Sequence, residues 1–188
     1  LLPEPELHNL PVGATPYDFG HDRTAYPLPE LLSLAELASG LTEEGLPVLR
    51  EALFSPEEAF RYWGALGLLM RGQTAVEQYA AELREKLSDP AASVRVVAAE
   101  ALSTWGSEHD LPHALEVLGE AANPDHAGPW AALMALNALD RLEDRAAGAK
   151  NAIAALGTQE DCLKTRELYP IATLVARLRQ KFGLVETS

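Results

Sequence analysis

The sequence predicts an all-α protein built as a stack of helix pairs, an α-solenoid. Residues 60–72 form a largely apolar stretch that ends at a glycine, and a similar stretch follows 34 positions later at residues 94–106. A third, looser copy occupies residues 132–139. A fixed period of this length is typical of helical repeats, in which each unit buries its apolar face against its neighbours. Aromatic residues make up only 6% of the chain while Ala and Leu dominate, which favours helices packed through small side chains.

Residues 1–27 are predicted to form an irregular N-terminal arm that packs on the helices. This segment contains five prolines, which remove backbone donors and restrict the preceding residue to extended conformations. Apolar side chains such as Phe19 and Tyr26 are scattered along it, so we expect it to lie against the first helices. Residues 28–188 are assigned to one helical repeat domain, because 188 residues suit a single domain.

Helical periodicity and chain breakers divide this domain into four helix pairs and a terminal helix. The two helices of each pair are called the first and the second helix below. The more apolar first helices are predicted to form one layer and the second helices the other. The predicted ranges are 29–39 and 43–54, 56–71 and 74–87, 91–105 and 110–122, 128–142 and 145–156, and about 171–182 for the terminal helix.

Local signals place several helix ends. Gly40 follows the first predicted helix and is expected to take the left-handed conformation that commonly ends helices. Ser55 is predicted to cap the next first helix, with Pro56 at its first position and Glu58 completing a capping box. Between them, the second helix of the first pair is predicted to bury a stripe that includes Phe54.

Charge and cysteine content exclude several classes of function. The net charge is −13, and so acidic a chain repels phosphate backbones, which argues against a nucleic-acid partner. No apolar run reaches the ~20 residues that a membrane span requires, so we predict no membrane insertion. Cys162 is the single cysteine, which excludes an internal disulfide and a multi-cysteine zinc site. No cofactor is predicted.

Two residue types could suggest metal or nucleophilic chemistry. His109 and His113 have the i, i+4 spacing of two metal ligands on one helix. Pro112, however, puts the helix start near Asp110, which is predicted to cap the helix. His109 is therefore predicted to precede the helix, and a surface role is favoured for both histidines. Cys162 follows acidic residues, which disfavour the thiolate that a nucleophile requires.

Paired carboxylates are the remaining candidates for acid–base catalysis. Glu43 with Glu44, and Glu57 with Glu58, lie at predicted helix N-termini, where negative charge is expected because it complements the helix dipole. Nothing in the sequence sets one member of a pair apart from the other, as acid–base catalysis requires. We therefore predict no catalytic, cofactor-binding or metal-binding residue, and the chain is predicted not to be an enzyme.

Tryptophans and arginines recur in the repeated helices. Trp63, Trp105 and Trp130 could line a ligand groove, but packing between repeats is the favoured interpretation. Arg61 and Arg95 occupy one repeat position and could form a binding row. We favour a structural ladder, in which each arginine bonds neighbouring carboxylates or loop carbonyls.

A protein-binding face on the second helices is the remaining functional hypothesis. These paired helices resemble HEAT-like arrays, and that resemblance implies that the second helices line the concave surface. Solvated helix faces carry the same residue types, so the alternative is a face without a partner. The candidate contacts are Arg50, Gln78, Glu82, Glu85, His113, Glu116 and Lys150.

The paired helices and Pro-containing turns resemble HEAT-like repeats, and a closer resemblance covers nearly the whole chain. Leu-Pro-Glu-Pro-Glu-Leu at residues 2–7, Thr-Pro-Tyr at 15–17 and Leu-Ala-Glu-Leu-Ala-Ser at 34–39 are similar to the stretch that follows the catalytic domain in certain bacterial sulfatases. Residues 61–69 and 135–140 are similar to the HEAT-type C-terminal region of those proteins. The fold expected is a right-handed α-solenoid of about four HEAT-like helix pairs plus a terminal helix.

This resemblance implies a non-catalytic C-terminal appendage of a sulfatase-like enzyme. Sulfatases carry a Cys/Ser-x-Pro-x-Arg motif, whose first residue becomes formylglycine, and an Asp/His/Asn set that binds calcium. Cys162 is followed by Leu163-Lys164-Thr165, so no catalytic role transfers to it. The chain starts at Leu1 without a methionine, as a fragment of a longer polypeptide would. Such parents are typically exported, which implies a periplasmic or extracellular location; without the resemblance, a cytoplasmic one is expected.

Two alternatives stay open at this point. The first is a free-standing HEAT-like adaptor that binds another chain rather than its own catalytic domain. The second is an enzyme on a HEAT-like scaffold, of the DNA glycosylase or bilin lyase type. The acidic charge disfavours a DNA groove, and Cys162 is a poor candidate for a reactive cysteine.

Overall fold

The computed structural model describes residues 15–22, 26–156 and 169–184, and within these ranges the protein is entirely helical. The all-α prediction is therefore confirmed. Cys162 lies outside the described residues. The α-helices are α1 (Pro16–His21), α2 (Leu28–Ser39), α3 (Leu46–Ala52), α4 (Glu58–Met70), α5 (Gln73–Gln78), α6 (Ala80–Lys86), α7 (Ala92–Trp105), α8 (Leu111–Ala121), α9 (Pro124–Arg141), α10 (Lys150–Ala155) and α11 (Tyr169–Lys181), with 3₁₀-helices η1 (Glu43–Gly45) and η2 (Glu143–Ala149).

The described residues hold two more α-helices than the sequence predicts. Within the arm, α1 starts with a capping box: the Thr15 hydroxyl accepts a hydrogen bond from Asp18 N at 3.2 Å, and the Asp18 carboxylate accepts one from Thr15 N at 2.8 Å. The helix predicted at 74–87 is divided into α5 and α6 at Tyr79, whose φ and ψ are −113° and 24°. Backbone bonding continues across this kink, because Leu83 N donates to Tyr79 O at 3.0 Å.

The helices of successive pairs pack against one another. Each first helix contacts the next one along the chain, from α2 to α4, α7, α9 and α11. The second helices pack beside them: α3 lies against α4, α6 against α7, and α8 against both α7 and α9. Most of α7 is buried, as expected of a helix with neighbours on several sides. This packing is compatible with the predicted stack of helix pairs.

Glycines allow α4 to approach α3 closely. A Cβ atom on Gly64 would lie 2.7 Å from the backbone oxygen of Leu49, and one on Gly67 would lie 2.5 Å from Leu49 Cδ2. Contacts this short require glycine at both positions unless a neighbour moves. Most of the apolar stretch at residues 60–72 is therefore helix α4, which packs closely on its neighbours at two glycines.

The described part of the N-terminal arm lies against α2 and α4. Tyr26 is buried together with Leu31 of α2 and Ala59 of α4, and Phe19 packs on this cluster. The rings of Phe19 and Tyr26 are 5.8 Å apart between centroids, a distance typical of packed aromatic pairs.

The left-handed end predicted at Gly40 is wrong. Gly40 keeps a right-handed φ of −69°, and the positive φ of 54° falls on Leu41. The left-handed residue therefore follows the C-cap Gly40 instead of being that glycine. Arg71 adds donors at this end of α2, because its guanidinium donates to the carbonyls of Leu37 at 2.9 Å and Ala38 at 3.0 Å.

The capping box predicted at Ser55 is also absent. Helix α4 begins at Glu58, and the Ser55 hydroxyl accepts a hydrogen bond from Glu57 N at 3.1 Å, which closes a turn ahead of the helix. The Glu58 carboxylate accepts from the Ser93 hydroxyl at 2.7 Å instead of turning back on its own helix. A contact with the next helix pair has replaced a local one.

Across the described ranges, no helix is both long and apolar enough to cross a membrane.

Candidate interaction surface

Arg61 and Arg95 make the same contacts one repeat apart. Arg61 Nη1 donates to the carbonyls of Ser55 at 3.1 Å and Pro56 at 2.7 Å. Arg95 Nη1 donates to Asp89 O at 2.8 Å and Pro90 O at 3.1 Å, the residues six and five positions before it. Each arginine therefore closes the Pro-containing turn that precedes its own helix. The predicted bonding of these arginines to loop carbonyls is confirmed.

Arg61 also ties its helix to the following unit. Its Nε and Nη2 atoms donate to the two carboxylate oxygens of Asp89 at 2.8 and 2.9 Å, and both side chains are buried. This hydrogen bond raises the pKa of Arg61 above its usual value, against the opposing effect of burial. A buried pair is favourable only when its remaining donors and acceptors are satisfied. Here Arg61 Nη1 reaches two carbonyls, and Asp89 Oδ1 accepts from Ala91 N at 3.0 Å.

A second tie between units, from Arg84 to Asp110, was not predicted. Arg84 Nη2 donates to Asp110 Oδ2 at 3.1 Å, and the carboxylate also accepts from Ser107 N at 3.0 Å and Ser107 Oγ at 2.6 Å. The hydrogen bond from Arg84, followed by those from Ser107, lowers the pKa of Asp110 to about 2. Asp110 was expected to cap α8, but its side chain makes no cap bond there. The spacing of Ser107 and Asp110, three residues apart, was the sequence feature that could have predicted their hydrogen bonds.

Other cations bond to carbonyls at the ends of helices. Such groups satisfy orphan acceptors and complement the negative end of the dipole. Besides Arg71, which also reaches Thr42 O at 3.0 Å, these contacts join Arg145 Nε to Ser103 O (3.1 Å), Arg179 Nη2 to Leu156 O (2.6 Å) and Lys181 Nζ to Asp140 O (2.8 Å).

The seven predicted interaction residues all lie on second helices. Two of them are bonded to each other: Arg50 Nε donates to Glu82 Oε1 at 2.7 Å, and this contact lowers the pKa of Glu82. They therefore join α3 to α6, with Arg50 exposed and Glu82 largely covered. The other five side chains are exposed, and they are Gln78, Glu85, His113, Glu116 and Lys150.

Phe54 is 49% exposed, so its predicted burial is wrong. Its ring is covered on one side by cations instead of apolar neighbours. Lys86 Nζ lies 4.7 Å from the ring centroid and Arg50 Cζ lies 6.0 Å from it. Such cation–π contacts are attractive at exposed sites and leave the rest of the ring in solvent.

The tryptophans differ in their surroundings. Trp63 is half-buried and packs against the core, as predicted. Trp105 and Trp130 are 39% and 70% exposed and belong to no core cluster of the described residues, so core packing is wrong for both. Gly128 interrupts α9 with a φ of 77° and a ψ of 162°, two residues before Trp130. The indole thus lies on the first turn after a break in the helix.

The two histidines lie where the position of Pro112 led us to expect them, one before α8 and one in it. His109 precedes α8, which begins at Leu111, and both His109 and His113 are exposed. In the parts of the chain that the structure describes, no group of three or more His, Cys, Asp or Glu side chains could hold a metal ion.

The chain matches no known protein family, and neither a curated protein nor a solved structure is significantly similar to it.

Proposed function

We propose that this chain is a non-catalytic helical-repeat scaffold that binds a protein through its second-helix face. The observation that supports a scaffold is that charged side chains of this chain bond to one another between helices. Arg61, Arg84 and Arg50 each bond a carboxylate on a later helix or turn, 26 to 32 residues away. Shifted pKa values often mark catalytic groups, but structural ion pairs shift them too. Here the shifts of Glu82 and Asp110 arise from bonds that join helices.

The finer fold that we propose is a right-handed α-solenoid of about four HEAT-like helix pairs plus a terminal helix. Its support is the repeated bonding of Arg61 and Arg95, which close equivalent turns 34 residues apart. Equivalent side chains with equivalent partners are expected when one structural unit is repeated. Contacts of each first helix with the next agree with this arrangement.

The partner that we propose is the catalytic domain of a sulfatase-like parent, with this chain as its C-terminal region. The resemblance of residues 2–7, 15–17, 34–39, 61–69 and 135–140 to those proteins supports the assignment. An open reading frame that continues upstream into a Cys/Ser-x-Pro-x-Arg domain would establish the parent. A different upstream sequence would leave a free-standing adaptor as the function. An exported parent would also place the chain outside the cytoplasm.

Binding to that catalytic domain, prepared as a separate polypeptide, tests the face by titration calorimetry. The double variant Glu85→Ala, Glu116→Ala removes two exposed carboxylates without freeing Arg50 from Glu82. We expect about a tenfold loss of affinity, since contacts at the rim contribute modestly and those at the centre contribute more.

The matched control removes the exposed carboxylates of Glu36 on α2 and Glu57 just before α4, both away from the second helices, and should leave affinity unchanged. Equal weakening by both double variants would mean that net charge, and not this face, determines binding. If the Glu85→Ala, Glu116→Ala variant bound as tightly as the unaltered chain, the second-helix face would not be the binding site. If the unaltered chain did not bind the catalytic domain, that domain would not be the partner.

A further inference from the structure

An open apolar groove of about 770 Å³ runs between α2 and α3 at the N-terminal end of the helical array. The α2 wall is formed by Glu30, Ser33, Leu34 and Leu37, whose i, i+3, i+4 and i+7 spacing makes it one continuous helical stripe. The α3 wall is formed by Val48, Glu51 and Ala52. Phe54 and Ser55, which follow α3, and Phe60 of α4 complete the lining.

The apolar side chains of this groove are unusually open to solvent. Val48 and Phe54 are 45% and 49% exposed, and Leu37 and Phe60 are only partly buried. Single exposed apolar side chains are normal on protein surfaces. Several of them lining one concavity indicate a binding site, because contiguous exposed apolar surface is rare on a monomer.

The charged residues that line the groove are both acidic, one on each wall. Glu30 and Glu51 are exposed, and neither has a cation within 4.0 Å among the described residues. Two cations lie at one end of the groove, over the Phe54 ring: Lys86, and Arg50, whose charge is paired with Glu82. The groove therefore offers an apolar floor between two carboxylates that no cation of the described residues pairs.

We infer that this groove binds a basic amphipathic helix of another protein. A groove formed by two helices accepts a third one through apolar residues at i, i+3, i+4 and i+7. Lysines or arginines flanking that stripe would lie beside Glu30 and Glu51, and opposite charge on both walls would favour entry in this orientation. The site lies on α2 and α3 and involves none of the carboxylates tested on the second-helix face, so the two proposals fail independently.

Two other occupants fit the groove less well. A second copy of the chain also carries a charge of −13, and like-charged copies repel. Its basic helix α11 has its apolar residues Ile171, Val175 and Leu178 buried in its own core. Residues 1–14 contain Glu4 and Glu6 but no lysine or arginine, so they would bring like charge to the groove.

The probe is a fluorescein-labelled synthetic peptide of about 18 residues, long enough to form a helix. It carries leucines at i, i+3, i+4 and i+7 with flanking lysines, and its control carries glutamates in place of the lysines. Fluorescence anisotropy with the full chain should show saturable binding of the lysine peptide, at least about tenfold tighter than that of the glutamate peptide. Equal binding of the two would overturn the inference.

Variants of the chain locate the binding. Val48→Asp should weaken binding of the lysine peptide at least about tenfold, since it puts a charge on the apolar wall. Met70→Asp, at a residue 43% exposed outside the groove, should leave binding unchanged. The pair Glu30→Lys, Glu51→Lys should reverse the preference between the peptides. Because these side chains are exposed, the folded state should persist, which circular dichroism checks.

Three further results would overturn the inference. Binding that survives Val48→Asp would place the peptide elsewhere. A dimer seen by analytical ultracentrifugation and abolished by Val48→Asp would make a second copy the occupant. If Leu7→Ser, Leu10→Ser in the full chain raised peptide affinity about tenfold, the chain's own N-terminal segment would be the competing occupant.

Discussion

The close approach of α4 to α3 predicts a graded effect of adding single methyl groups. In Gly64→Ala the new Cβ would meet the Leu49 carbonyl oxygen at 2.7 Å and the Leu53 nitrogen at 3.1 Å, both backbone atoms. In Gly67→Ala it would meet Leu49 methyl groups at 2.5 and 2.8 Å. Backbone atoms yield only if α3 moves, whereas the ends of a leucine side chain can shift slightly. We therefore expect Gly64→Ala to be the more damaging change.

The magnitudes follow from two opposing effects. Both glycines are inside α4, where alanine gains about 1 kcal/mol of helix propensity. Overpacking costs about 1–3 kcal/mol, and a backbone clash belongs at the upper end. The net loss should be about 2 kcal/mol for Gly64→Ala and about 1 kcal/mol for Gly67→Ala. Gly67→Leu should lose more than either, because its extra atoms meet Ala38 Cβ, already 3.1 Å from a Cβ at that position.

Thermal unfolding followed by circular dichroism measures this series. For a domain of this size each kcal/mol lowers the melting temperature by about 2–4 °C, so Gly64→Ala should melt about 4–8 °C below the unaltered protein. The control is Gly40→Ala, where φ is −69° and the nearest atom to the new Cβ is 3.5 Å away. It should be neutral or stabilising. A Gly64→Ala protein that melts at or above the unaltered one would refute the packing of α4 described here.

Three further changes have distinct expected outcomes. The pKa of Asp110 is lowered to about 2, so the stability that this group contributes is complete above its ordinary pKa and is lost as pH falls from about 4 to about 2. In urea titrations the gap between the unaltered protein and Asp110→Asn should narrow over that range, and a constant gap would contradict the Arg84 contact. Trp130→Ala should change the free energy of unfolding by less than about 0.5 kcal/mol and Trp63→Ala by about 2 kcal/mol or more, and equal effects would contradict their different burial. Arg71→Ala should cost about 2–4 kcal/mol in the same measurement, because several carbonyls lose a charged donor, and a cost near zero would mean that water replaces it.

The features that the sequence predicted correctly are those carried by local, repeated patterns. The copies at residues 60–72 and 94–106 each form a first helix of nearly the predicted length, α4 and α7. Arg61 and Arg95 bond carbonyls five and six residues earlier, within reach of a spacing argument. Such contacts depend only on a few neighbouring residues in the sequence. They can be predicted because the same residues recur at the repeat period.

The features that were missed depend on partners far along the chain. Arg71 donates to the last carbonyls of α2 from 33 and 34 residues away, and the left-handed residue at this end is Leu41 and not Gly40. Asp110 turns to Arg84, 26 residues earlier, instead of capping α8. Phe54 satisfies the periodicity of a buried stripe, but no helix covers it. The sequence does not predict the N-terminal groove or the cations beside Phe54, because each brings together residues from separate helices.

The central claim is that buried charges of this chain join helices to one another. A double-mutant cycle on Arg61 and Asp89 tests it most directly, with Arg61→Ala, Asp89→Ala and the double variant unfolded in urea. Each single change should cost about 3–5 kcal/mol, since it leaves a buried charge unpaired, and the double variant should cost much less than their sum. The pair of Arg50 and Glu82, in which the Arg50 side chain is about half exposed, serves as the comparison and should couple by less than about 1 kcal/mol. Additive costs for Arg61 and Asp89, or single variants as stable as the unaltered protein, would contradict the claim.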